Sequence, residues 1–307
     1  MGFRIATNVQ SLNAQRNLTI SNEMNNQSME KLSSGFRINK ASDDAAGLAI
    51  SDKLRADYRG LVMARRNAND GISLVQTAEG GLNEIGNILS RLRELSIQGA
   101  SDTIGNTERG FLNKEFGQLK DEINRISKTT EFNGTLLLVG NQDEIDDEIK
   151  KRSNTFPLEI QVGKNYFESA DSQENPNPTN IIRIDFSNVN ATVNEEGLNL
   201  GTAEDDEKAS VATKEMSQKS INVLDEAITK VSSYRSSMGA IQSRLNSTIN
   251  QLSIQAENNA ATNSRIRDTD FAEETAKLAQ TNILKQSGVS ILSQSNQIPS
   301  LALRLLG

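Results

Sequence analysis

The side chains here that could do chemistry are carboxylates, cationic groups and a large stock of Ser and Thr, because histidine and cysteine are both absent. Their absence removes the commonest general base and the commonest zinc ligand, and with them any thiolate nucleophile. The densest acidic run, DEIDDEIKK from Asp143 to Lys151, lacks the D-x-D-x-D-G spacing and closing Glu of a calcium loop. It reads as a solvated charged stretch. No G-x-S-x-G, P-loop or G-x-G-x-x-G occurs, and Gly80-Gly81 stands alone. A Ser–Lys pair has suitable atoms, but no spacing marks one. Five N-x-S/T sequons, Asn133-Gly134-Thr135 and Asn190-Ala191-Thr192 among them, are the chance yield of so Asn-, Ser- and Thr-rich a chain. These residues imply neither an enzyme nor a cofactor.

Composition narrows the class further. Only 36% of the 307 residues are hydrophobic and 4% aromatic, with no Trp, a thin supply for a wide core but suited to long helices packed along narrow seams. The net charge of -7 argues against a nucleic-acid partner, which needs a basic surface. No apolar run approaches the length of a membrane span, and MGFRIATNVQSLNAQR has no apolar core of a secretory signal.

The elements follow from periodicity. Ile5, Val9, Leu12, Ile20, Met24 and Leu32 fall near helical spacing and predict a thinly amphipathic helix over residues 1–34. Next comes LSSGFRINKASDDAAGLAISDKLR, Leu32 to Arg55: Gly35 closes that helix, Asn39 turns the connector, and Ser42 is the expected N-cap of a new helix with Asp43 and Asp44 in its first turn. Leu82, Ile85, Leu89, Leu92 and Leu95 carry it to about Gly99 at coiled-coil spacing. ASDTIGNTERG, Ala100 to Gly110, is a turn cluster. Leu112, Phe116, Leu119, Ile123 and Ile126 give a third helix ending near Lys128, followed by an Asn133-Gly134 hairpin turn.

The middle of the chain alternates instead. Leu158, Ile160 and Val162, then Ile182, Ile184 and Phe186, predict two half-buried strands about the polar loop SADSQENPNP. Residues 141–205 thus read as a β insertion too small for its own core. It supplies no seam positions, so its removal is expected to leave the helices intact. From Glu204 to about Asn259, Ile221, Leu224, Ile228, Val231, Tyr234, Met238, Ile241, Leu245, Ile249 and Leu252 mark the best seam of the chain. A last helix from Asp268 carries Phe271, Leu278, Ile283, Leu284 and Leu292, with Pro299 expected to end or kink it. Seams at both ends of the sequence need partners. The simplest solution is mainly α: a long antiparallel coiled-coil or helical-bundle rod, both termini at one end, with a small β-hairpin insertion.

SSGFRINKASDDAAGLAIS resembles the signature of bacterial flagellins, and NQIPSLALRLLG resembles their C-terminal tail. The resemblance covers both ends and fails only in the middle. It implies a structural subunit that polymerises into the extracellular flagellar filament for swimming motility, after unfolded export by the flagellar type III apparatus. It implies a division into residues 1–41 and 263–307 as the two halves of a filament-core domain, 42–140 and 206–262 as those of a rod domain, and 141–205 as a variable insertion. Filament-core packing then falls to Ile5, Val9, Leu12, Phe271, Leu278, Ile283, Leu292, Leu303 and Leu306. Its implied partners are further copies of itself, an export chaperone on the C-terminal helix, the export apparatus, and the cap and junction proteins. SRLRELSIQG, Ser90 to Gly99, reads on its own as a helix with Leu92 and Leu95 inward. By resemblance it is the segment gripped by the flagellin-sensing Toll-like receptor of vertebrates, with Arg91, Leu95 and Glu115 as contacts and Ser90 where Gln is common. A hook–filament junction protein, or an intracellular coiled-coil adaptor, is the alternative.

Overall fold

The computed structural model describes residues 8–140, 156–165, 179–202 and 208–304, with side chains as far as residue 297. The readings of DEIDDEIKK, of SADSQENPNP, of Ile5 and Leu306 and of the Leu303 side chain lie outside these residues. Among the described residues the order is α1 (Val9–Ser34), α2 (Ala45–Gly99), α3 (Asn106–Thr129), β1 (Glu131–Phe132), β2 (Thr135–Leu136), β3 (Leu158–Gln161), β4 (Ile181–Ile184), α4 (Lys214–Arg267) and α5 (Phe271–Arg304). The chain divides into two compact units, Met1–Tyr58 with Glu257–Gly307, and Arg59–Ala256.

The larger unit is built on α2, α3 and α4. Along α2 the buried positions Leu61, Ala64, Ala68, Val75, Ala78, Leu82, Ile85, Leu89 and Leu92 step by sevens, threes and fours, a heptad seam. On α4 the buried set is Ser217, Ser220, Leu224, Ala227, Val231, Met238, Leu245 and Leu252. Small residues therefore share a seam that the large apolar ones alone advertised, and they let the helices approach closely. The two run antiparallel, as the Arg93–Asp225 pair at 2.6 Å and the Arg235–Glu79 pair at 4.0 Å fix. Helix α3 begins inside the expected turn cluster. Arg109 explains this: its guanidinium donates to the carbonyls of Gly99 at 2.8 Å and Ser101 at 2.8 Å, and to Asn106 Oδ1 at 3.0 Å. One buried side chain thus closes the end of α2 against the start of α3.

The Asn133-Gly134 turn forms as its residues demand, both with positive φ, 51° and 80°, the geometry of a hairpin turn. Strands β3 and β4 pair antiparallel with Leu158 opposite Ile184 and Ile160 opposite Ile182, so the alternation places those side chains on one face. The expectation that the insertion is dispensable is corrected here. Phe156, Val162, Ile182, Ile184, Phe186, Val189, Leu198 and Leu200 belong to the same buried cluster as Leu82, Leu89 and Leu224. A segment without heptad positions still completes the core, because one side of the helix seam would otherwise face water.

In the smaller unit α1 and α5 lie antiparallel, Asn8 bonding to Ser295 and Asn25 to Thr281, so the start of α1 lies beside the later part of α5. Gly35 closes α1 with φ 74°, its N–H on Lys31 O. The cap of α2 is Asp44 rather than Ser42: Asp44 accepts from Gly47 N through its side chain at 2.8 Å and from Leu48 N through its carbonyl. Asp43 instead accepts from Asn39 N and Lys40 N, and those two amides, Lys40 first, hold its carboxyl below the usual carboxylate range. Helix α5 continues through Pro299 to Arg304.

Candidate self-assembly surface

The connector that follows α1 bonds to the one that precedes α5. Phe36 forms a β-bridge with Asp268, Arg37 N donates to Arg267 O at 2.6 Å and Thr269 N to Gly35 O at 3.0 Å. The Arg267 guanidinium stacks 4.6 Å from the centre of the Phe36 ring, a cation–π contact. Ile38, two residues on, is buried.

The terminal pair is inverted relative to an ordinary coiled coil. The inward or half-inward positions of α1 are Ser11, Ala14, Leu18, Ser21, Asn25, Ser28 and Leu32, a heptad seam flanked by half-buried Asn22 and Lys31. On α5 they are Glu274, Leu278, Thr281, Gly288, Leu292 and Ser295. Small and polar residues thus fill most of this seam, with Ser11 Oγ on Asn296 Oδ1 at 2.7 Å and Asn25 Nδ2 on Asn282 Oδ1 at 2.8 Å. The large apolar residues point elsewhere: Val9, Leu12, Ile20, Met24 and Met29 on α1, and Phe271, Ile283, Leu284, Val289 and Ile291 on α5, are all exposed. Ile283 is 64% exposed and Leu12 57%, far too open for a core position.

The expected packing residues therefore separate into two sets. Leu278 and Leu292 are half-buried in the intramolecular seam, while Val9, Leu12, Phe271 and Ile283 face outward. Periodicity found the outer stripe of α1 and, apart from Leu32, missed the inner one, whose signal is a 3.5-residue repeat mostly of Ser, Ala and Asn with Leu18 and Leu32.

Of the expected receptor contacts, Arg91 and Glu115 are exposed and joined at 2.9 Å across α2 and α3. Arg91 also reaches Glu94 at 3.1 Å. Leu95 is 0% exposed, on the inner side of α2. No group of three or more His, Cys, Asp or Glu among the described residues is placed to hold a metal ion. No helix among them is long and apolar enough to cross a membrane.

Fold and surface together define a helical structural protein whose unpaired apolar faces sit on its terminal segments. The family model of the bacterial flagellin N-terminal helical region matches residues 5–143, and that of the C-terminal helical region matches residues 221–306. The flagellin of Halalkalibacterium halodurans is 42% identical over 299 residues, 97% of this chain and 98% of that one. The flagellin of Bacillus subtilis is 40% identical, covering 99% and 100%, and polar flagellin F of Vibrio parahaemolyticus 36%, covering 100% of each. Among solved structures, a Bacillus cereus flagellin shares 28% identity over 64% of this chain and 94% of that one, with a TM-score of 0.45. A chain assigned to a flagellar hook-associated protein of Vibrio parahaemolyticus shares 15% identity over 74% and 100%, with a TM-score of 0.55, a likeness of fold. The chain belongs to the flagellin family. It is a structural filament subunit that polymerises with its own kind, and no enzyme.

Proposed function

We propose that the outward apolar faces of α1 and α5 are the surface by which this flagellin adds to its filament. What supports this is the inverted seam: ten large apolar side chains stand in water on the terminal pair while small and polar ones fill its interior. Each such side chain contributes about 1.5–3 kcal/mol when buried. Two different faces meeting head to tail give an open polymer when the rotation from copy to copy does not close into a ring.

On this reading residues 1–41 and 263–307 form the filament core, 42–140 and 206–262 the surrounding rod, and 141–205 its variable part. The filament is extracellular, reached by unfolded passage through the flagellar type III apparatus, with the cap and junction proteins at its ends. A cytoplasmic chaperone on α5 covers the same face that a neighbouring subunit covers, so binding one excludes the other. Near-full-length likeness to flagellins favours filament over hook–filament junction. The protein should therefore be recovered in sheared cell-surface material, where an intracellular adaptor would not be. A flagellin-sensing Toll-like receptor would meet the Arg91–Glu115 pair from outside, with Leu95 holding the helix beneath it.

The test is seeded elongation followed by light scattering. Leu12→Asp and Ile283→Asp should each abolish elongation while leaving the helical content of the larger unit unchanged. Elongation at the wild-type rate by both variants would place assembly elsewhere on the molecule.

A further inference from the structure

The seam of the terminal pair poses a problem of register. Ser11, Ala14, Ser21 and Ser28 are close to interchangeable in size, so an α1 displaced by seven residues along α5 would pack them almost as well. A uniform seam of small residues specifies register weakly, whereas a single polar residue at a seam position can fix it at some loss of stability. Besides the bonds near the chain ends, from Asn8 to Ser295 and from Ser11 to Asn296, one layer in the middle of the seam is bonded twice. Asn25 Nδ2 donates to Asn282 Oδ1 at 2.8 Å and to Thr281 Oγ1 at 3.2 Å, and Thr281 is 2% exposed. A second feature marks the same alignment: a Cβ at Gly288 would lie 3.2 Å from Leu18 Cδ1, so the glycine is the notch for that leucine. Both contacts are lost together on a heptad slip. Leu18 then meets a residue with a side chain, and Asn25 faces a position where neither acceptor stands.

We propose that Asn25 is the positioning residue that sets the register of α1 on α5, and through it the alignment of the two outward apolar faces offered to the next copy. The idea rests on the assembly reading above and deepens it. A filament needs Val9 and Leu12 held at a fixed height against Ile283, Leu284 and Ile291, since a slip of seven residues moves them by roughly 10 Å. The hydrogen-bonded layer stabilises the pair less than an apolar one would, and in exchange excludes the slipped alignments.

The chain has no cysteine, so introduced pairs report cleanly. The alignment that sets Leu18 on Gly288 and Asn25 beside Thr281 puts positions 21 and 285 level. The double variant Ser21→Cys with Lys285→Cys therefore reads the native register, and Ser28→Cys with Lys285→Cys a slip of one heptad. Each is oxidised in filaments grown on wild-type seeds and in free chains, with and without Asn25→Leu. The expected result is that Asn25→Leu raises the slipped cross-link relative to the native one about tenfold, equivalent to about 1.4 kcal/mol, and slows elongation. A second variant, Thr281→Val with Asn282→Ala, removes both acceptors, leaves Asn25 in place and should broaden the register likewise. A residue with only a stabilising role would lower the native cross-link without raising the slipped one. Slipped cross-linking at the wild-type level in both variants overturns the proposal. Failure of the cysteine-free wild type to elongate seeds would instead overturn the filament reading, leaving the register result to stand on the free chains.

Discussion

Truncating one aromatic side chain tests whether the central strands are ornament or core. Phe186 is 0% exposed, and its ring lies 5.8 Å from that of Phe156 at 54°, a tilted aromatic pair. It belongs to the buried cluster that also contains Leu82, Leu89 and Leu224. Replacing a buried Phe by Ala leaves a cavity that costs about 3–5 kcal/mol, against a total stability of about 5–15 kcal/mol for a typical domain. Phe186→Ala should therefore lower the folded-to-unfolded ratio by two decades or more. The assay is urea unfolding of the full chain followed by far-UV circular dichroism, which watches the helices and not the strands. A large fall in the helix midpoint thus reads directly on the union of hairpin and bundle. Phe111→Ala is the control: that side chain is 66% exposed and its loss should stay within about 0.5 kcal/mol. A Phe186→Ala loss below about 1 kcal/mol would mean that the helical seam stands without the strands, and the reasoning from the shared cluster would be refuted.

Adjacent glycines of α2 should respond oppositely to Ala. Gly80 has open space where a Cβ would go, so Gly80→Ala should raise stability by about 0.5–1 kcal/mol; at Gly81 a Cβ would lie 2.7 Å from Thr130 Oγ1 and 2.8 Å from Leu138 Cδ1, so Gly81→Ala should lower it, and thermal unfolding ranks the two. Arg109→Met should cost about 1–3 kcal/mol by leaving the carbonyls of Gly99 and Ser101 without their donor, with faster hydrogen exchange confined to the α2–α3 turn. Burial raises the phenol of Tyr234 above its ordinary value of 10.0, against a smaller opposing hydrogen bond from the Asn190 backbone. The folded chain then holds that proton when the unfolded chain has released it. The stability it contributes is fully present below the unfolded pKa and is lost as pH rises through the folded one, which an alkaline unfolding series of Tyr234→Phe against wild type will show.

Where large apolar residues carry the pattern, the sequence was legible. Leu82 through Leu92, Leu224 through Leu252, the alternating strands and the Asn133-Gly134 turn all stand where their residue types put them. What escaped was carried by small or polar groups. The inner heptad of α1 is mostly Ser, Ala and Asn, with only Leu18 and Leu32 apolar and large, so its hydrophobic period is faint, and the visible stripe of Val9, Leu12 and Ile20 lies on another face. The Asp44 cap could not be told from Ser42 because both residue types cap well and stand two positions apart. Leu95 was legible in two ways at once, as a seam position and as a family contact; its complete burial bears out the seam position. The place of Phe186 was hidden for a different reason: alternation tells which face of a strand is buried, not against what.

The inversion of the terminal pair also bears on how growth begins. Ordering a helix costs conformational entropy in proportion to its length, and α1 and α5 recover little of it from a seam of serine, asparagine and glycine. Two free subunits that collide must both meet that cost before either apolar face has a rigid counterpart. At an existing tip only the incoming copy has yet to hold its weakly joined pair rigid, and the receiving face is already fixed. The barrier is thus steep for starting a new fibre and shallow for lengthening one. The solution should remain clear above the concentration at which tips already grow, showing a lag that a trace of sheared fragments removes. The same linkage makes the melting of α1 and α5 depend on the number of tips and the supply of free copies, while the melting of the larger unit follows its own packing.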